Sequence, residues 1–208
     1  FLNYPRNLKK DLIILKRLNV DFVYIPNLKD IFSFRPKNKI FLHKFSKKLC
    51  GKSRKGHFEG VLNIVNRFLE IIKPKYIFLG IKDFQQCYLI NKHILKNKIN
   101  TKVIYCKTIR EKNGVACSTR NNHLNKNQFK IASNVFKYLK KMRKLSQEKI
   151  SNFKIIKIKN DLMNLGVKKI DYIELCNLKT LKAPKNRREK FKIFVAFYLN
   201  KIRLIDNI

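Results

Sequence analysis

Leu8, Leu12, Leu15 and Leu18 recur at spacings of four and three residues, the apolar stripe of an amphipathic helix. The run Asp21-Phe22-Val23-Tyr24-Ile25 then reads as a short buried strand stopped by Pro26. After a basic, loop-rich stretch, Val61, Ile64, Val65, Phe68 and Ile72 share one face of a second helix, which begins behind Gly56-His57 and ends before Pro74. Tyr76-Ile77-Phe78-Leu79-Gly80 predicts the next strand, Asp83 stands where it can cap the helix that follows, and 103–106 predicts a further strand. Helices and strands alternating at these lengths imply an α/β unit with a parallel sheet.

Beyond residue 107 the pattern changes. Two helical stretches, 125–144 and 147–165, precede strand-like runs at 169–175, 191–199 and 202–204, and Gly166 sits where a helix can end in left-handed backbone. Helices gathered ahead of antiparallel strands predict a smaller α+β domain. The expected division is 1–107 and 108–208.

Hydrophobic residues make up 45% of the 208, with 16 Phe and 8 Tyr, so the chain is expected to fold. Lys, Arg or Asn interrupts every apolar run before the roughly 18 residues that a membrane span needs, and no signal peptide is recognised. The sequence opens on Phe1 rather than Met and is read as a fragment. A net charge of +36 is the footprint of a nucleic-acid binder. Yet pairs such as Lys9-Lys10, Lys47-Lys48, Lys140-Lys141 and Lys168-Lys169 spread over the whole length, and Asn and Ile are abundant too. Drift toward A/T-rich codons explains that pattern, and no specific nucleic-acid partner is expected. Cys50, Cys87, Cys106, Cys117 and Cys176 form no CxxC pair, so neither a zinc site nor a disulfide framework is encoded; small buried hydrophobes in a reducing cytoplasm are the reading.

Three segments carry candidate chemistry. Gly80-Ile81-Lys82-Asp83-Phe84-Gln85-Gln86 lies at a strand's carboxyl end and a helix's amino end, where open α/β sheets bind ligands and helix dipoles favour anions. Lys82 adds a mobile charge, Asp83 either caps the helix or meets a phosphate-bound Mg²⁺, and Gln86 follows Asp83 on the same helical face. Cys117-Ser118-Thr119-Arg120-Asn121 sets hydroxyls beside a guanidinium, a set suited to phosphate oxygens, although Ser118 and Thr119 suit a helix cap equally. Gly51-Lys52-Ser53-Arg54-Lys55-Gly56-His57 fails the P-loop pattern, since Lys and Ser/Thr do not follow the second glycine, and remains a basic loop feeding a helix. His43, His93 and His123 have no partner spacing and are read as solvent or core residues.

Taken in order, these segments resemble the pantoate–β-alanine ligase family. The resemblance rests on Tyr4-Pro5-Arg6-Asn7-Leu8, on 51–61, on 80–86, on Ser118-Thr119-Arg120-Asn121 and on the closing Arg203-Leu204-Ile205-Asp206-Asn207. It implies a Rossmann-like nucleotidyltransferase domain, truncated at its N-terminus, in 1–107 and a small C-terminal α+β lid in 108–208. It also implies ATP and Mg²⁺, pantoate and β-alanine as substrates, a pantoyl-adenylate intermediate, and a cytoplasmic homodimer with no membrane contact. By position, Gly80, Ile81, Lys82, Asp83, Ile109, Cys117, Ser118, Thr119 and Arg120 would bind ATP. Lys82, Ser118 and Arg120 would hold the phosphates and stabilise the leaving group, Gln86 would bind pantoate, and Tyr4, Arg54 and His57 would lie on the neighbouring loops. No metal site built from protein ligands alone is expected. The family's histidine motif and its pantoate-holding segment have no counterpart here, so the 208 residues alone are expected to be inactive. Cys50 and Ile81 stand where the family usually has glutamate, and Lys55 where it usually has proline. A non-catalytic remnant and a basic nucleic-acid-binding protein are the alternatives.

Overall fold

The computed structural model describes residues 7–208 of the chain, which divide into two compact units, 7–35 and 36–208. In the first, the leucine stripe forms helix α1 (Leu8–Arg17), whose capping residue Asn7 accepts from the Lys10 amide at 3.1 Å; none of its residues is buried. Helix α2 (Leu28–Ile31) begins with a reciprocal capping box between Asn27 and Asp30. The strand expected at 21–25 is absent, and Phe22 is 92% exposed. Its apolar residues fit the pattern of a buried strand, but 7–35 holds no second strand to pair with its N–H and C=O groups.

The second unit holds two sheets. Helices α3 (Cys50–Ser53) and α4 (His57–Ile72) lead to β1 (Tyr76–Gly80), a tight turn at Ile81–Asp83, α5 (Phe84–Lys96) and β2 (Lys102–Cys106). Strands β1 and β2 run parallel, from Tyr76 opposite Lys102 to Gly80 opposite Cys106, as the alternation of elements predicts. Leu62 and Leu69 of α4 and Ile90 and Ile94 of α5 form a core with Ile77, Leu79 and Val103 of the strands. Two polar side chains inside this layer are paired with each other. His93, fully buried, accepts from the Phe41 amide at Nδ1 and meets Asn66 Oδ1 at 3.0 Å through Nε2, while Asn66 donates to Glu70.

The chain continues with α6 (Lys126–Glu148), α7 (Ile155–Asn164) and an antiparallel sheet, β3 (Lys169–Asn177), β4 (Phe191–Leu199) and β5 (Ile202–Asn207), in the order β3-β4-β5. Asn125 and Gln128 close a capping box at the start of α6. The helix expected at 147–165 is shorter: Asn152 donates its side-chain amide to the Leu145 carbonyl, the chain turns at Ile150–Asn152, and α7 begins only at Ile155. Gly166 does adopt left-handed backbone, φ 102°, just past α7. Val135 and Leu139 of α6 and Ile158 and Leu162 of α7 pack on Ile173, Ile193 and Val195 of the sheet. A further core gathers Phe45, Leu49, Phe58 and Leu89 with Cys176, Leu181 and Phe194, so the antiparallel sheet shares buried contacts with α4 and α5. No helix of the described residues is long and apolar enough to cross a membrane.

The buried histidine makes a testable difference to stability. Burial lowers the pKa of His93 below its ordinary value of about 6.5, with Glu70 opposing that shift only in part. Below pH 6.5 the unfolded chain takes up a proton that native His93 refuses, so the stabilising contribution present above pH 6.5 is lost as the pH falls. Thermal midpoints in about 0.5 M salt, which screens surface repulsion, are expected to drop between pH 7.5 and 5.5. A midpoint that rises over that range would contradict this account of His93.

Candidate active site

The turn at Ile81–Asp83 is the centre of the site, because it carries Lys82 out of β1 at the edge of the sheet. Gly80 ends the strand, and a methyl group built there would meet no atom within 4 Å, so the approach to its backbone is open. The turn is held from several sides. Cys87 Sγ bonds the Gly80 carbonyl at 3.3 Å, and the Asn207 side-chain amide donates to Ile81 and Lys82 carbonyls at 2.7 and 2.8 Å. Asp83 makes no side-chain cap to α5; its carboxylate lies 3.5 Å from Lys82 Nζ instead.

Two clefts meet at Lys82. One is lined by Lys82, Ser118, Arg120, Asn121, Arg203 and Asp206 over an apolar floor that includes Val115 and Phe136. The other is lined by Cys50, Arg54, His57, Lys82, Asp83 and Gln86. Lys82 and Asp206 border both.

A small hairpin presents the serine and arginine of the first cleft. Arg110 bridges to Ala116, Cys117 donates its amide to the Ile109 carbonyl, and Gly114 turns the chain at φ 92°. The Arg110 guanidinium grips Asp206 with two bonds, 2.7 and 2.9 Å, and lies over the Phe136 ring at 4.5 Å, tying the hairpin to β5. Ser118 Oγ accepts from the Arg120 amide at 3.3 Å and so caps the turn Thr119–His123, whereas Asn125 caps α6. Among the described residues no carboxylate lies within ion-pair distance of Arg120 or Arg54.

The second cleft is electropositive. Arg54 approaches His57 with its guanidinium nitrogen 2.8 Å from Nε2, which makes that nitrogen the acceptor and leaves the proton on Nδ1. Burial first, then Arg54 and Arg203, lowers the His57 pKa, so the ring is neutral. Burial lowers the pKa of Arg54 as well, and Arg203 and Arg120 add to that shift. Arg54 and Arg120, which have no carboxylate within ion-pair distance among the described residues, call for an anionic ligand. Against the cleft wall, Cys50 Sγ lies 3.0 Å from the Tyr172 hydroxyl and 3.7 Å from Arg203, whose Nε donates to Asp171 at 2.7 Å.

Of the residues singled out in the sequence, Lys82, Ser118 and Arg120 share one cleft, and Arg54, His57, Lys82, Asp83 and Gln86 the other. Gly80, Ile81, Ile109, Cys117 and Thr119 line neither, and Ile109 is 72% exposed. Tyr4 lies outside the described residues. Cys50, Cys87 and Cys176 are buried while Cys106 and Cys117 are exposed, and all are free; the reading of small buried hydrophobes holds for the first three. No group of three or more His, Cys, Asp or Glu is arranged to hold a metal among the described residues. Sequence reasoning gave no role to Gln85, Arg110, Arg203, Asp206 and Asn207. Gln85 is buried and donates to the Phe45 and Lys48 carbonyls, both at 2.7 Å, while accepting from the Cys50 amide, so it holds the loop in front of Arg54. Polar residues within the apolar run 202–208 were the available signal for Arg203, Asp206 and Asn207.

An α/β unit with a cationic cleft at the carboxyl end of its parallel strands, covered by helices and an antiparallel sheet, defines the class as an anion-binding α/β enzyme. The sequence model of the Pantoate-beta-alanine ligase family matches residues 1–208. A pantothenate synthetase of Flavobacterium psychrophilum is 35% identical over 209 residues, covering 99% of this chain and 74% of the relative. The crystal structure of a pantoate–β-alanine ligase from Francisella tularensis, complexed with β-γ ATP and β-alanine, superposes with a TM-score of 0.77 at 34% identity, covering 99% of this chain and 70% of that one. A pantothenate synthetase from Thermus thermophilus shares the fold at a TM-score of 0.87 and 24% identity, covering 99% and 75%. The chain belongs to the pantoate–β-alanine ligase family, enzymes that form pantothenate.

Proposed function

We propose that the two clefts joined at Lys82 are where this protein condenses pantoate with β-alanine at the expense of ATP, by way of pantoyl-adenylate. The observation that carries the reading is the convergence of Lys82, Ser118 and Arg120 on one cleft, and of Arg54, His57 and Gln86 on the cleft that adjoins it. The complex of the Francisella tularensis relative with β-γ ATP and β-alanine supports the same ligands here.

In this reading the triphosphate lies in the first cleft, against Lys82, the Ser118 hydroxyl and the Arg120 fork. Attack of the pantoate carboxylate on the α-phosphorus forms the acyl-phosphate bond and breaks the bond to pyrophosphate. Lys82 and Arg120 stabilise the charge that develops on that leaving group. Pantoate occupies the second cleft, where Gln86 hydrogen-bonds it and the positive field of Arg54 and Arg203 holds its carboxylate. The β-alanine amine then attacks the acyl carbon, AMP leaves, and pantothenate is released. Neutral His57 is available as an acceptor only through a change of partner, since Arg54 occupies Nε2. Gly80, Ile81, Asp83, Ile109, Cys117 and Thr119 would border the nucleotide, Asp83 from within the second cleft and the others from outside both.

Asp83 is the carboxylate that fits Mg²⁺, because it is half exposed on the cleft and its ion pair with Lys82 is long at 3.5 Å. A single carboxylate plus phosphate oxygens is the usual environment of this ion, which neutralises phosphate charge when bound. Residues 1–107 would form the ATP- and pantoate-binding domain and 108–208 the lid, in a cytoplasmic homodimer. These last features are carried over from the family resemblance.

Pantothenate formation from ATP, pantoate and β-alanine by the whole protein tests the reading, and absence of adenylation would remove it. Within that assay, Arg120→Lys is expected to slow pyrophosphate release by roughly 10-fold or more, because a point charge cannot copy a two-pronged contact. A native rate in that variant would take Arg120 out of the phosphate site.

A further inference from the structure

Asn207 does more than end β5. Its side chain is almost completely buried, at 2% exposure, yet every polar atom of its amide is engaged. Oδ1 accepts from Lys192 Nζ at 2.5 Å, and Nδ2 donates to two successive carbonyls, Ile81 at 2.7 Å and Lys82 at 2.8 Å. A cation on one side and two acceptors on the other fix the orientation of the amide. No other side chain of this size fits: aspartate would turn an oxygen toward two carbonyl oxygens, and leucine would leave both carbonyls without this partner. The clamp is itself braced, since the neighbouring Asp206 is held by Arg110 and accepts from the Asn207 backbone N–H at 2.8 Å.

We infer that Asn207 is a positioning residue for adenylation, which acts by fixing the Ile81–Asp83 turn and through it the direction of the Lys82 side chain. The inference rests on the functional reading above and deepens it, since it makes a residue 125 positions away in the chain part of how Lys82 is aimed. Lys82 reaches both clefts only from this turn, and a displacement of about 1 Å at a charge-stabilising group costs up to roughly 100-fold in rate.

The test compares Asn207→Asp and Asn207→Ala in the native and Lys82→Ala backgrounds of the whole protein. The aspartate keeps the volume and the Lys192 contact but sets a charged oxygen against the two carbonyls, whereas the alanine removes the donors without adding charge. Pyrophosphate release by Asn207→Asp is expected to fall roughly 10- to 100-fold in the native background, with almost no further loss where Lys82 is already alanine. Equal losses in both backgrounds would mean a general structural role and overturn the inference, as would a native rate. Hydrogen exchange gives a second readout that needs no turnover. Amides at 81–84 are expected to exchange faster in both Asn207 variants while those of β4 do not change, and unchanged exchange at 81–84 overturns the clamp. A protein that makes no pantothenate but shows the localised exchange would therefore refute the functional reading and keep the clamp.

Discussion

Lys82→Ala is expected to slow pyrophosphate release by about 10² to 10³-fold, on the order of 3–4 kcal/mol of transition-state stabilisation, with little change in thermal stability. The size follows from the location. Among the described residues Lys82 is the one cation bordering both clefts, its side chain is only 19% exposed, and its nearest carboxylate stands off at 3.5 Å. A charge in that setting is weakly neutralised at rest and is screened little by water, so it acts most strongly when charge builds on the departing pyrophosphate. Stability should hardly change, because Lys82 contributes its backbone carbonyl, not its ammonium group, to the bond with Asn207. The measurement is single-turnover release of pyrophosphate beside a thermal melt. Release within threefold of native would remove Lys82 from the chemistry, and a large fall in melting temperature would assign it to folding instead.

The local parts of this architecture were legible. The period of α4 and the left-handed backbone at Gly166 follow from neighbours within a few residues, and the parallel pairing of β1 with β2, 26 residues apart, follows from the alternation of helix and strand. Where tertiary contacts decide, the pattern misled or fell silent. Residues 21–25 have the composition of a buried strand but no strand to pair with, and the helix expected at 147–165 is divided by the turn Ile150–Asn152, where Asn152 bonds back to the Leu145 carbonyl of α6. Gln85 and Gln86 make the same point at the site. One helical step, about 100°, separates them; both border the second cleft, but Gln85 commits its amide to the Phe45 and Lys48 carbonyls and the Cys50 N–H. The sequence marks the pair, but only packing says which one holds the loop. Asn207 and Asp206 are further from view still, because their partners Lys82 and Arg110 lie more than 90 residues earlier.

Gly51→Ala is expected to destabilise the protein by on the order of 3–5 kcal/mol, among the largest effects of any single methyl group. A Cβ at Gly51 would stand 1.6 Å from the Ser46 carbonyl oxygen and 2.7 Å from its carbon, so a backbone would have to move by more than 1 Å. Neither side has room. Ser46 is buried between Phe45, itself 1% exposed, and the Lys48 carbonyl that Gln85 holds. On the other side Leu49 already sits at φ 46° with its side chain in the core, a conformation that costs a non-glycine residue energy and leaves little slack. Relief would push Cys50 away from Gln85 and carry Arg54 and His57 with it, so pantoate binding should weaken along with stability. Gly60, in the exposed face of α4, provides the contrast: a methyl there meets nothing within 4 Å, and Gly60→Ala should leave stability unchanged or raise it by up to about 1 kcal/mol. Melting temperatures of the two variants measure both. The expected fall for Gly51→Ala is roughly 10 °C, and a fall no larger than that of Gly60→Ala would mean that the 46–51 loop yields without strain and does not hold Arg54 and His57 in place.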